Sequence, residues 1–120
     1  MNVAQLLEEI PKRYPSATVK SEFEYPPYDY FRVTLENGWT IGCGYGEGHY
    51  SSNRIQGHFN PKEATSFEVA ILTETGEWFL SEGMDISVGP KVSSGVLGWV
   101  DSDHLFQIIE YISAKRREPP

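Results

Sequence analysis

Residues 30–45 read YFRVTLENGWTIGCGY, and the way this stretch alternates decides what kind of domain the chain builds. Phe31, Val33 and Leu35 fall on one side of an extended segment, with Arg32 and Thr34 on the other. Glu36, Asn37 and Gly38 follow. Asn-Gly can adopt the positive φ angles of a type I′ turn, whose twist matches the strands it joins. Beyond the turn, Trp39, Ile41, Cys43 and Tyr45 share one face, and Thr40, Gly42, Gly44 and Gly46 the other. The stretch therefore reads as an antiparallel hairpin, strand 30–35 paired with strand 39–45. A strand face of threonine and glycine has nothing of its own to pack with, so something must lie close against it. A helix backbone is the ordinary occupant; a ligand or partner is the less ordinary one.

The flanks extend this sheet in both directions. Ala17, Val19, Ser21, Phe23 and Tyr25 alternate with Thr18, Lys20, Glu22 and Glu24, the two-residue period of a strand with one wet face. Pro26 and Pro27 end it. Further back, Val3, Leu6, Leu7 and Ile10 have helical spacing, with Asn2 as N-cap. Pro11 removes a backbone donor, which predicts that the regular helix stops or kinks near Ile10. Downstream, residues 47–62 lack periodicity, and a connection of that length in a small domain is either functional or mobile. Phe67, Val69 and Ile71 mark a strand over 66–73, and Thr75-Gly76 turns it into Glu77, Trp78, Phe79 and Leu80 as a second hairpin. Residues 81–95 are irregular, and 96–100 suit a short edge strand. Leu105, Ile108, Ile109 and Ile112 then form the stripe of a final helix, opened by Asp101, Ser102 and Asp103 and closed by Lys115, Arg116 and Arg117. The expectation is a single α+β domain over 1–120, an antiparallel sheet of about five strands flanked by an N-terminal and a C-terminal helix.

Charge narrows the functional classes. The net charge of −7 is unevenly spread. From Glu63 to Glu110 nine acids face one base, Lys91, for a net of −8, while the remainder has eight acids and nine bases. Such a surface repels nucleic acid and anionic membrane and steers basic protein surfaces toward it, beyond its ordinary role in solubility. No apolar run approaches the roughly 20 residues of a membrane span. Nor does the start look like a signal peptide, and a lone cysteine fits a reducing compartment, so a cytoplasmic location is expected.

Catalytic and metal signatures are weak. Cys43 with His49, His58 and an acid such as Glu47 has the inventory of a nucleophilic site, but mid-strand beside Trp39, Ile41 and Tyr45 the cysteine should be buried and inert. The same residues lack the close ligand pairs that zinc sites show. The glycines of GCGYGEG lie inside a strand rather than before a helix, so they do not read as a phosphate loop. Stacked aromatics for RNA lack basic flanks. No enzyme activity, metal or cofactor is expected.

The sequences WTIGCGYGEGHYSSNR, FEVAILTETGEWF and VLGWVDSDHLFQIIEYI look like small α+β proteins carried by bacteriophages and other mobile elements, a likeness covering roughly residues 30–114. The resemblance implies a context in which small acidic proteins inhibit bacterial defence complexes, anti-CRISPR proteins among them, in the cytoplasm of a host cell. It implies no catalytic residues.

The functional expectation is a non-enzymatic protein-interaction module that blocks a basic, nucleic-acid-binding surface. The residues expected to carry it are Glu74, Glu77, Glu82 and Asp85 in the acidic half, the aromatics Tyr28 and Tyr30, and His49, Tyr50 and Arg54 on the long loop. An immunity protein that neutralises a toxin is a second reading. A small ligand-binding or hydrolytic protein centred on Cys43, His49 and His58 is a third.

Overall fold

The computed structural model describes residues 1–25, 28–45, 64–80, 92 and 95–115, with backbone alone for 22–25, 28 and 29. Helix α1 (Val3–Arg13) leads into a five-stranded sheet of β1 (Thr18–Tyr25), β2 (Tyr28–Thr34), β3 (Thr40–Gly44), β4 (Ser66–Leu72) and β5 (Leu97–Asp101), and helix α2 (Ser102–Ser113) follows. The strands lie side by side in chain order, and each pair is antiparallel. This is the α+β arrangement that the alternating periods predict. No helix among the described residues is long and apolar enough to cross a membrane.

Local chemistry sets the helix ends. The Asn2 side chain accepts from the Gln5 N–H and the Gln5 side chain accepts from the Asn2 N–H, each at 2.9 Å, a reciprocal capping box. Of the expected stop or kink near Ile10, the stop does not occur: α1 runs through Pro11 to Arg13 and closes with the Tyr14 N–H on the Ile10 carbonyl. A proline in the last turn forfeits a single backbone bond, and Lys12 and Arg13 there complement the helix dipole. At α2 the Asp101 carboxylate accepts from the His104 N–H at 2.9 Å, and Asp103 adds charge in the first turn.

The two-residue period sorts the sheet into two faces. Phe31, Val33, Ile41, Cys43, Phe67, Val69, Ile71, Leu97 and Val100 point inward, and α1 and α2 cover them with Val3, Leu6, Ile10, Leu105, Ile108, Ile109 and Ile112. All of these are buried, and each large aliphatic among them contributes about 1.5–3 kcal/mol. Phe31 meets Phe67 edge-on at 6.2 Å and lies 6.1 Å from Tyr45, which fills the corner of the core beside β3.

Both connecting turns depart from the simplest expectation. In the β2–β3 turn only Gly38 has positive φ, at 89°, so the loop is not a type I′ turn. Instead Leu35 and Trp39 close a three-residue loop of Glu36, Asn37 and Gly38. The expected second hairpin is short among the described residues: Leu72 bridges Trp78, the Phe79 N–H donates to the Ile71 carbonyl at 3.0 Å, and the Thr73 N–H donates to the Glu77 carbonyl across a turn in which Gly76 has φ 82°. At β5 the register slips between Phe67 and Val69, so Gly98 and Trp99 together stand opposite Glu68. Trp99 has φ 57°, a left-handed conformation that bulky residues rarely adopt, and it absorbs the extra residue of this bulge.

Candidate recognition surface on the open sheet face

The glycine face resolves differently from its ordinary expectation. Both helices lie on the cysteine face, and no helix among the described residues covers Gly42 and Gly44. A methyl group placed on Gly42 would meet only the Ala70 carbonyl oxygen, at 3.9 Å. Among the described residues, therefore, no backbone packs closely over Gly42, while Gly44 is buried. Both glycines line a groove of about 430 Å³.

Register explains its shape. Arg32 pairs with Gly42 and Gly42 with Ala70, while Tyr30 pairs with Gly44 and Gly44 with Glu68. Two glycines and an alanine thus run between side chains of β2 and β4, strands about 10 Å apart across the intervening β3. Tyr30 and Arg32 make one wall. Glu68, Leu72, Trp78 and Val96 line the other side. The volume falls within the range of about 300–1,000 Å³ typical of ligand sites, and the lining is mostly apolar with a few polar groups.

Trp78 is the least expected member. It is 55% exposed, yet its Nε1–H donates to the Gly95 carbonyl at 2.8 Å, so the indole is held and its faces remain bare. Gly95 has φ 78°, and a Cβ there would lie 2.8 Å from Trp78 Nε1, so both conformation and space require glycine. On the opposite wall the Arg32 guanidinium lies 5.6 Å from the Tyr30 ring centroid and donates from Nη2 to the Tyr30 hydroxyl at 3.3 Å.

Of the residues singled out from the sequence, Tyr30 lines this groove. Glu74 and Glu77 meet beside it, on the turn after β4, around a smaller cavity of about 240 Å³ that Trp39, Thr73, Thr75 and Phe79 also line. Glu77 is exposed and Glu74 half-buried. Tyr28 lies on β2, and its side chain is not described. His49, Tyr50, Arg54, His58, Glu82 and Asp85 lie outside the described residues.

Cys43, the centre of the nucleophile alternative, is fully buried, and burial pushes its thiol well above the ordinary value. A thiolate is disfavoured there. Among the described residues no three His, Cys, Asp or Glu side chains gather where they could hold a metal ion. Sequence reasoning missed Arg32, Glu68, Trp78 and the floor residue Ala70 as site members. A detectable signal existed: each sits at the outward parity of its strand or just past a turn, beside the glycine face already noted. No protein-family model, curated protein or solved structure matches the chain.

Proposed function

We propose that this protein is a non-enzymatic interaction module that binds a partner protein through a basic surface. The observation that carries this reading is the tip after β4, where exposed Trp78 lines the groove and its exposed neighbour in sequence, Glu77, lines a second cavity together with Glu74. An exposed tryptophan next to carboxylates combines the residue type that most often anchors protein interfaces with charge that steers a cationic partner. The uneven charge of the chain, net −8 from Glu63 to Glu110, extends the same field.

The resemblance to small proteins of mobile elements makes the basic channel of a nucleic-acid-handling defence complex the first partner class to try. Capture of partners from the host cell, followed by affinity measurement with the purified partner, tests the reading. Reversing Glu74 and Glu77 to lysine, with Glu82 and Asp85 in a second variant, should weaken binding about tenfold or more and flatten its salt dependence. Unchanged affinity at low and high salt would remove the electrostatic basis of the proposal.

A further inference from the structure

The described aromatic rings near the surface follow a pattern. Arg13 lies 3.9 Å from the centroid of Phe106, Arg32 lies 5.6 Å from that of Tyr30, and Lys115 lies 4.6 Å from that of Tyr111 and 5.4 Å from that of Phe79. The chain uses its own cations to cover ring faces. Among the described residues no cation stands over either exposed tryptophan, Trp78 or Trp99, although tryptophan is the ring that attracts cations most strongly; of the two, Trp78 is the one that lines the groove. The indole is fixed by its bond to Gly95 and faces a groove floored by Gly42, Gly44 and Ala70, with Glu68 and Arg32 in the same lining and Glu77 next to it in sequence.

From this arrangement we infer that Trp78 receives an arginine side chain of the partner protein, laid along the glycine floor with its guanidinium over the indole. The inference rests on the proposed function and names its contact. Three features favour arginine. Its planar head stacks on an aromatic face, it is weakly hydrated, and its long stem can run along an apolar floor without leaving polar groups unpaired. Arg32 on Tyr30 is an internal example of the same stacking, held at the far wall by its hydrogen bond to the ring hydroxyl. Because the Trp78 N–H is already used, the ring offers the ligand only its π faces, which suits a cation better than a hydrogen-bond acceptor.

The test uses a capped tetra-arginine peptide and its tetra-citrulline counterpart, which keeps the shape and removes the charge. The three indole N–H resonances of the full-length protein are followed during titration, after assignment by single substitution. Tetra-arginine should produce a saturable shift at Trp78, and tetra-citrulline none. Trp78→Phe, which retains a weaker ring, should weaken binding about threefold, and Trp78→Ala about fivefold or more. Gly42→Thr adds a strand-favouring residue where a methyl meets only one atom at 3.9 Å, so it should fold normally and still block the peptide.

Binding of tetra-arginine that is unaffected by Trp78→Ala and Gly42→Thr would overturn this inference and leave the acidic-module reading standing. Equal binding of tetra-citrulline would overturn it as well. Absence of tetra-arginine binding, or preferential binding of single-stranded nucleic acid, would overturn both.

Discussion

In the turn from Leu35 to Trp39, the Leu35 N–H donates to the Trp39 carbonyl at 2.8 Å and the Gly38 N–H to the Leu35 carbonyl at 2.9 Å; from Thr73 to Glu77 the same two bonds recur, each at 2.9 Å. Each loop has glutamate first and a glycine of positive φ last, and a tryptophan follows closely. The middle residue differs. Asn37 accepts from the Trp39 N–H at 3.0 Å and donates from Nδ2 to the Ile112 and Lys115 carbonyls, both at 2.8 Å, closing the C-terminal end of α2. Among the described residues Thr75 reaches only the Thr73 hydroxyl, at 3.0 Å. One turn is an anchor and the other a presented tip, and a single side chain makes the difference.

Their tryptophans are inverted in the same way. Trp39 is 6% exposed, stacks edge-on with Phe79 at 5.0 Å, and keeps a buried Nε1–H with no partner among the described residues. Trp78 is 55% exposed with its N–H satisfied. A buried unpaired donor costs about 1–3 kcal/mol. Packing at Trp39 must exceed that cost, whereas Trp78 gains little from burial and contributes correspondingly little to stability.

The sharpest way to break the comparison is to truncate both rings. Trp39→Ala should cost about 3–5 kcal/mol of stability by urea denaturation, and Trp78→Ala less than about 1 kcal/mol. Equal costs would erase the distinction between anchor and tip. Next in size, Asn37→Ala removes three hydrogen bonds, two of them to the end of a helix, and should cost about 2–3 kcal/mol, while Thr75→Ala should stay within about 0.5 kcal/mol. Gly95→Ala combines an unfavourable φ with a clash against the Trp78 indole, and should cost about 2 kcal/mol and alter the Trp78 fluorescence. Gly76→Ala has the φ penalty without the clash, and should cost about 1 kcal/mol with the fluorescence unchanged.

The smallest effect concerns the anchored side. Burial raises the Tyr14 phenol from 10.0 to about 12, helped by its 2.8 Å bond to Glu110, in a cavity wall shared with Leu35 and Asn37. The folded state therefore holds this proton more tightly than the unfolded chain. The associated stability is complete below pH 10 and is lost as pH rises toward 12. Tyr14→Phe should flatten stability across that interval, and an unchanged alkaline profile would show that the group is unshifted.

The sheet and both helices were legible because they rest on periodicity, and Phe31, Val33, Ile41, Cys43, Phe67, Val69 and Ile71 point where their parity sends them. Chain length past Pro11 and the geometry after Asn37 were not, since both depend on tertiary bonds that spacing does not encode. The candidate site was half legible. Glycines at 42 and 44 announced an unusual face, but whether a helix lay over it depended on which side α1 and α2 docked. Asn37 looked like a turn former, and nothing local disclosed that its amide would reach residues 75 and 78 positions further along the chain.

The bulge at Gly98 and Trp99 bears on how the molecule avoids its own kind. Among the described residues β1 and β5 are the edges of the sheet, and an edge strand carries a row of backbone donors and acceptors on its outer side. An arriving strand could begin to pair along Leu97–Asp101, but the extra residue breaks its register before a second full repeat is formed. The left-handed tryptophan thus places an irregularity in an edge strand, a feature that disfavours edge-to-edge pairing, and a replacement that restored regular pairing would exchange local strain for a more regular edge.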